Sequence, residues 1–219
     1  MGTTRLKLYN GALLKIGKRG IASLTVNEDS RRLLDEAWDM DAVDYCLAQG
    51  LWKFATRSQK LDYDTSIEPE FGLQHGFAKP TDWVATSAVC SDEFYKEPLL
   101  RYQDEQHIIY ADLDQLYVRF VSNDAAWGQD LARWPASFSE YVQWYLASKI
   151  VLKATDDQNL ATAIMKPTGG LMDKALALAL NNDAQSDPPK FPPPSSWIRA
   201  RRAGSGDWRD GGSRGRLIG

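Results

Sequence analysis

A chain of 219 residues with 43% hydrophobic and 25% charged residues has the composition of an ordinary globular protein, long enough for one substantial core and an added subdomain or tail. Its formal charge of −3 is unevenly spread: from Gln185 to the C-terminus seven basic and three acidic residues balance at +4, which leaves −7 on the rest. The two cysteines, Cys46 and Cys90, supply neither a disulfide framework nor metal-ligand spacing, and no stretch approaches the roughly 18 apolar residues of a membrane span, so a chain made and folded in a reducing cytoplasm is expected.

Leu6, Leu8, Tyr9, Ala12, Leu13 and Ile16 predict a short amphipathic helix that Gly17 and Gly20 can end, because glycine accepts the left-handed turn at a helix C-terminus. It is expected to pack on a long central helix. That helix is predicted over Thr25 to Arg57: Thr25 and Glu28 fit a capping box, and Leu34, Trp38, Tyr45, Ala48, Trp52 and Ala55 recur at three- and four-residue steps with Asp41 as the exception.

Asp62 to Gly76 reads as loop, with a short strand near Leu61 to Tyr63. The runs Leu99 to Tyr102, Gln106 to Tyr110 and Gln115 to Val121 alternate or carry β-branched and aromatic residues, and Asp104-Glu105 and Asp112-Leu113-Asp114 between them suit turns. They predict a small antiparallel meander, with Trp83 to Val89 as an added strand. Such a sheet must lean on the helices or on a neighbouring subunit, since an isolated hairpin is marginal in water.

Ser137 and Glu140 form a second capping box ahead of Phe138, Tyr141, Val142, Tyr145, Leu146 and Ile150, a helix apolar on more than one side. Asp156 to Met165 and Leu171 to Leu180 predict two more helical runs, broken at Pro167 and Gly169-Gly170. After Asn181 the composition turns to Pro, Gly, Ser and Arg, with Trp197 and Trp208, an extended segment that cannot build a core by itself.

The residues of chemistry are sparse. His75 and His107, the two histidines, lack a second ligand at metal spacing and a nearby nucleophile motif, which points to surface or structural roles. Gly169-Gly170 lacks the Lys-Ser/Thr of a phosphate loop. Carboxylate pairs such as Asp41 with Asp44, or Asp104 with Glu105, are inevitable by chance among 29 acidic residues. No catalytic, cofactor or metal residue is therefore assigned, and a non-enzymatic protein is expected. Trp197, Ile198, Arg199, Arg201, Arg202, Trp208 and Arg209 combine residue types enriched at binding hot spots, and mark the C-terminal segment as a docking arm for a protein partner. An Arg-aromatic segment also suits nucleic acid, but a −7 body repels phosphate.

Several landmarks resemble one family, the head-to-tail connector or adaptor proteins of tailed bacteriophages, including the tail tubular protein A type. They are Leu8-Tyr9-Asn10 and Leu13-Leu14, Ala37-Trp38-Asp39, Leu47-Ala48, Trp52-Lys53-Phe54-Ala55-Thr56-Arg57, Lys79-Pro80-Thr81-Asp82-Trp83, Tyr117 to Val121, Phe138 to Val142 around Tyr141, and Ala147 to Ile150. The similarity runs from about residue 5 to 184 and rests on the order and spacing of the landmarks, with Trp38, Trp52, Phe54, Pro80, Asp82, Trp83 and Tyr141 as its core positions. The family's last helix runs unbroken, and Pro167 interrupts it here; the C-terminal segment lies outside the family pattern.

The combined expectation is a mainly α fold: a helical bundle over residues 1–184 with an antiparallel β-meander inserted at about 60–122, and an extended C-terminal arm over 185–219. The resemblance implies a structural virion protein of the neck, assembled in the bacterial host cytoplasm. It implies a homo-oligomeric ring, dodecameric in the family, that joins the portal to a downstream nozzle or stopper protein and passes DNA through its channel. A tail-associated peptidoglycan hydrolase and a helical nucleic-acid-binding protein are the alternatives.

Overall fold

The computed structural model describes residues 2–69 and 72–186. Helix α1 (Arg5–Lys15) starts where the Thr4 hydroxyl accepts the Lys7 amide. It ends as expected: Gly17 takes a φ of 72°, the Lys18 amide donates to the Leu13 carbonyl at 2.9 Å, and the Gly17 amide donates to that of Leu14 at 3.1 Å. Leu8, Tyr9, Ala12 and Leu13 face inward.

The long helix expected from Thr25 to Arg57 is broken. Helix α2 runs over Asp29–Asp39 and α3 over Ala42–Ala48, separated by Asp41 with φ 55°, a left-handed residue that ends one helix and starts the next on a new axis. The Thr25 capping box does not form, because the Thr25 hydroxyl pairs with Ser23 and Glu28 caps the helix through its backbone alone. Two members of the supposed buried stripe, Tyr45 and Ala48, are exposed. Lys53–Ala55 is a single 3-10 turn, and by Thr56 the chain is a strand.

Six strands follow: β1 (Thr56–Asp62), β2 (His75–Ala78), β3 (Trp83–Cys90), β4 (Gln103–Asp104), β5 (Ile108–Ala111) and β6 (Gln115–Ser122). They do not form one meander. Strands β5 and β6 go to different antiparallel sheets, ordered β1-β6-β3 and β2-β5-β4, so Asp112-Leu113-Asp114 is a crossing between sheets and not a hairpin turn. Leu99 to Tyr102 pairs only as an irregular extension of β3, through the Leu99 amide on the Val89 carbonyl. Facing side chains of the two sheets, Leu61, Val89, Leu116, Val118 and Phe120 from one and Phe77, Ile109 and Ala111 from the other, make a second apolar core.

The fold class is thus corrected from a mainly α bundle with an inserted meander to an α+β fold, a helical layer beside a two-sheet β unit with its own core. Only the end of strand β1 coincides with the short strand expected near Leu61 to Tyr63, because only Leu61 among its seven residues is buried; Arg57, Ser58 and Lys60 give it the polar character of an edge strand.

Helix α4 (Ala136–Thr155) is the axis of the helical layer, with nine buried residues between Phe138 and Val151, and α1, α2, α3 and α5 all pack on it. Its N-terminus follows Pro135, with no side-chain cap, so the second capping box is also absent. Phe138 is enclosed by Trp52, Phe54 and Trp134, each with its ring centroid at 4.8 Å. The break at Pro167 is present: α5 (Gln158–Met165) and α6 (Leu171–Gln185) flank a turn in which Gly169 has φ 75°. The last turn of α6 is tied to the aromatic segment by Asp183, which accepts the Lys53 amide at 3.0 Å.

Phe138→Ala should cost about 3–5 kcal/mol, the range for emptying a closed aromatic site, and should lower the denaturant midpoint without changing the slope of the transition. A loss under 1 kcal/mol would show that the surrounding rings are not in mutual contact.

Candidate functional site

Among the landmark residues, Asp82 has the densest set of partners. It lies just before β3, where the turn at Pro80 sends the chain into the strand with the Trp83 amide donating to the Pro80 carbonyl. Arg57, at the start of β1, donates to Asp82 Oδ2 at 2.8 Å, and the hydroxyl of Ser122, at the end of β6, donates to the same oxygen. The Asn123 amide donates to the Asp82 carbonyl at 3.0 Å. One carboxylate thereby ties together the ends of all three strands of the first sheet. Burial opposes its ionisation, but the hydrogen bonds from Ser122 and Arg57 and the Arg57 charge outweigh that, and its carboxyl is held below the usual range.

Ser122 extends this network towards the helices. Its hydroxyl accepts the Asp124 amide at 3.1 Å, and its carbonyl accepts that of Gly128, where an added Cβ would lie 2.2 Å from the oxygen; only glycine allows that approach. Gly128 in turn accepts the Trp134 indole N–H at 2.8 Å, beside Phe138. The adjoining Trp83 stacks on Phe120 with centroids 4.1 Å apart and planes 8° from parallel.

A second polar cluster joins α1 to α2. Asp35 accepts Arg5 at 2.8 Å and the buried Tyr9 hydroxyl at 2.9 Å, and it also accepts Arg31. The Arg5 guanidinium lies over the Trp38 ring, 5.1 Å from its centroid. Burial pushes the Tyr9 phenol well above its ordinary value, which keeps it a donor. Arg5, Arg31 and Asp35 were not singled out from sequence; the i,i+4 pairs Arg5/Tyr9 and Arg31/Asp35 were the available signal.

Other landmarks are structural. Trp52 is buried with its indole on the Cys46 carbonyl at 3.1 Å, Phe54 packs at its edge, and Tyr141 is buried against Cys46; desolvation pushes both groups up, Cys46 adds to the rise of Tyr141, and the hydrogen bond with Tyr141 offsets part of the rise of Cys46. His75 packs on Tyr63 with Asp114 at 3.5 Å, and His107 is exposed. Asp104 is engaged by Lys79 and Thr86, and Glu105 accepts Gln103 at 3.0 Å. Asp41 and Asp44 share an open cleft of about 250 Å³ with Trp38, Asp39, Val43, Gln129 and Leu131. Asp44 accepts Asn123 at 3.0 Å through Oδ2.

Trp197, Ile198, Arg199, Arg201, Arg202, Trp208 and Arg209 lie outside the described residues. Among the described residues no three His, Cys, Asp or Glu side chains converge to hold a metal, and no helix is long and apolar enough to cross a membrane. Among the described residues, hydrogen bonds hold the carboxyls of Asp64, Asp82 and Asp92 below the usual range. No protein-family model matches the sequence, and no curated protein matches it at significance.

Because the Asp82 carboxyl is depressed in the folded protein, its contribution is complete above the unfolded value of about 3.9 and is lost as pH falls through the lower folded value. Asp82→Asn should cost about 2 kcal/mol near pH 7, as for a charge-assisted bond to a largely buried group, and the gap from the parent should close below about pH 4. Urea unfolding at a series of pH values tests this; a gap that widens on acidification would reverse the sign.

Proposed function

We propose that this chain is a non-enzymatic structural subunit of a bacteriophage neck, a connector that forms a ring beneath the portal and passes DNA into the tail. The observation that carries the reading is the ordered set of landmarks from Leu8 to Ile150 that resembles the head-to-tail connector family. Two of them meet here: the Arg57 that ends the Trp52 motif and the Asp82 of the Pro80 motif, joined by Ser122 just beyond the Tyr117 to Val121 run, hold one sheet together.

Charge supports the same reading. The body up to residue 184 carries −7, and walls of net negative charge do not retain DNA by counterion release, so a duplex slides past them. In a ring, each weak contact with the portal is repeated by symmetry, and avidity replaces single-site affinity. The ring would take the portal on one side and a nozzle or stopper protein on the other, in the virion, after assembly in the host cytoplasm. The C-terminal arm, through Trp197, Trp208 and its arginines, would dock on the portal.

The mass of the purified full chain, alone and mixed with its phage's portal ring, tests the proposal. A multi-copy ring, formed alone or on the portal, is expected. A protein that stays monomeric in both conditions, and clears peptidoglycan or retains DNA with steep salt dependence, would replace this reading with one of its alternatives. Trp197→Ala with Trp208→Ala should leave the unfolding midpoint in place and reduce assembly onto portal-bearing heads; undiminished assembly would remove the arm from the docking surface.

A further inference from the structure

The loop between β3 and β4 holds exposed apolar side chains on a fixed backbone. Phe94 is 69% exposed and Leu100 95% exposed. Solvent exposure of this kind is normal for a single residue, but the loop around Phe94 is built to hold one shape. Asp92 accepts the amides of Phe94 at 3.2 Å, Lys96 at 3.0 Å and Glu97 at 2.8 Å, and the Ser91 amide donates to the Glu97 carbonyl. Tyr95 is one of three non-glycine residues with positive φ among the described residues, at 56°, and is pinned there by its hydroxyl on the Val118 carbonyl at 3.0 Å and by Arg119 stacked 3.8 Å from its ring centroid. The strained residue points inward, and Phe94 and Lys96 on either side of it are exposed, with the Lys96 ammonium 5.5 Å from the Phe94 ring centroid. Among the described residues Lys96 has no carboxylate partner. The result is a preorganised knob made of one aromatic ring and one cation, and a backbone already ordered loses little entropy on binding.

The cleft at the α2–α3 break has the complementary chemistry. Trp38, Val43 and Leu131 give it apolar walls; Asp39, Asp41 and Asp44 give it negative charge. At about 250 Å³ it is smaller than the roughly 300–1,000 Å³ usual for small-molecule pockets, a size for one or two side chains. Asp44 Oδ1 is buried without a hydrogen-bond partner, and Asp41, which also lines the cleft, has a positive φ of 55°. Met40 beside it is 64% exposed. Strained residues that persist where the surroundings hold them are concentrated at ligand clamps and binding loops.

We propose that the Phe94–Lys96 knob of one copy enters the Trp38–Asp41–Leu131 cleft of the next copy, with the phenyl ring against Trp38, Val43 and Leu131 and the ammonium among the three aspartates. The occupant is a second copy because aromatic ring and cation on one surface match apolar wall and carboxylates on another surface of the same chain. Two different patches meeting make a heterologous contact, which closes into a ring when the rotation between copies allows. This inference rests on the connector reading and gives that ring its lateral interface.

A photoreactive phenylalanine analogue, p-benzoylphenylalanine, placed at position 94 of the full chain tests it. Light and heavy isotope-labelled copies are mixed, irradiated alone and on the portal ring, and digested. Cross-links from position 94 of one copy to residues 38–44 or 129–131 of another are expected. Cross-links to the portal alone, to other segments, or to none would overturn the interface. Phe94→Ser and Lys96→Glu, both at exposed positions, should each raise the concentration for half-assembly by about tenfold or more with unchanged unfolding midpoints. Rings that form in the parent and persist in both variants refute the knob and leave the connector reading standing, whereas a parent that forms no oligomer in either condition refutes both.

Discussion

The structure depends on strand β6, the central strand of the first sheet, which has its two faces in different cores. Its alternation sends Leu116, Val118 and Phe120 between the sheets, while Val121 belongs to the helical core. A shift of one residue in its pairing with β1 or β3 would exchange these sets and expose both. Its end is fixed by Ser122, whose hydroxyl meets Asp82 and whose carbonyl meets Gly128, so register, sheet closure and the link to Trp134 and Phe138 are set within one residue of each other. A buried ion pair is weak ground for stability in itself, because desolvation offsets much of the attraction. The Arg57–Asp82–Ser122 cluster matters instead as a device of specificity, since it is satisfied in only one alignment of the three strands.

The helical layer follows a different rule. Helix α4 is apolar around much of its circumference and needs cover on several sides, which α1, α2, α3 and α5 supply. The Trp38, Trp52, Phe54, Trp134 and Phe138 rings fill the junctions, and polar bonds sit where helices meet at their edges, as with Arg5, Tyr9 and Asp35. These groups are absorbed in holding helices together.

Surface segments held in one shape can carry backbone strain. Tyr95 and Asp41 carry that strain in left-handed conformations that each costs on the order of 1–2 kcal/mol. In one case a tyrosine hydroxyl and a stacked arginine hold it; in the other a helix break does. Both positions lie beside exposed apolar side chains, Phe94 and Met40.

Local patterns in the sequence determined α1 with its Gly17 terminus, β3, the all-round apolar α4 and the break at Pro167, because each is decided by residues within a turn or two of one another. Arg57 and Asp82 were legible as parts of sequence motifs, but not their contact with each other and with Ser122: the three are far apart in the chain and meet only when the sheet forms. Tertiary structure alone decided that Thr25 to Arg57 is two helices and a strand start: Asp41 interrupts the apolar spacing, but one polar residue in a period that then resumes does not reveal a left-handed turn. It decided, too, that β5 and β6 part into different sheets, because alternation fixes which side chains share a face and says nothing about which neighbour a strand will pair with. Strands β2 and β4, and β1 ahead of Leu61, were invisible for the same reason: too short or too polar to show a period, they are strands because their partners are.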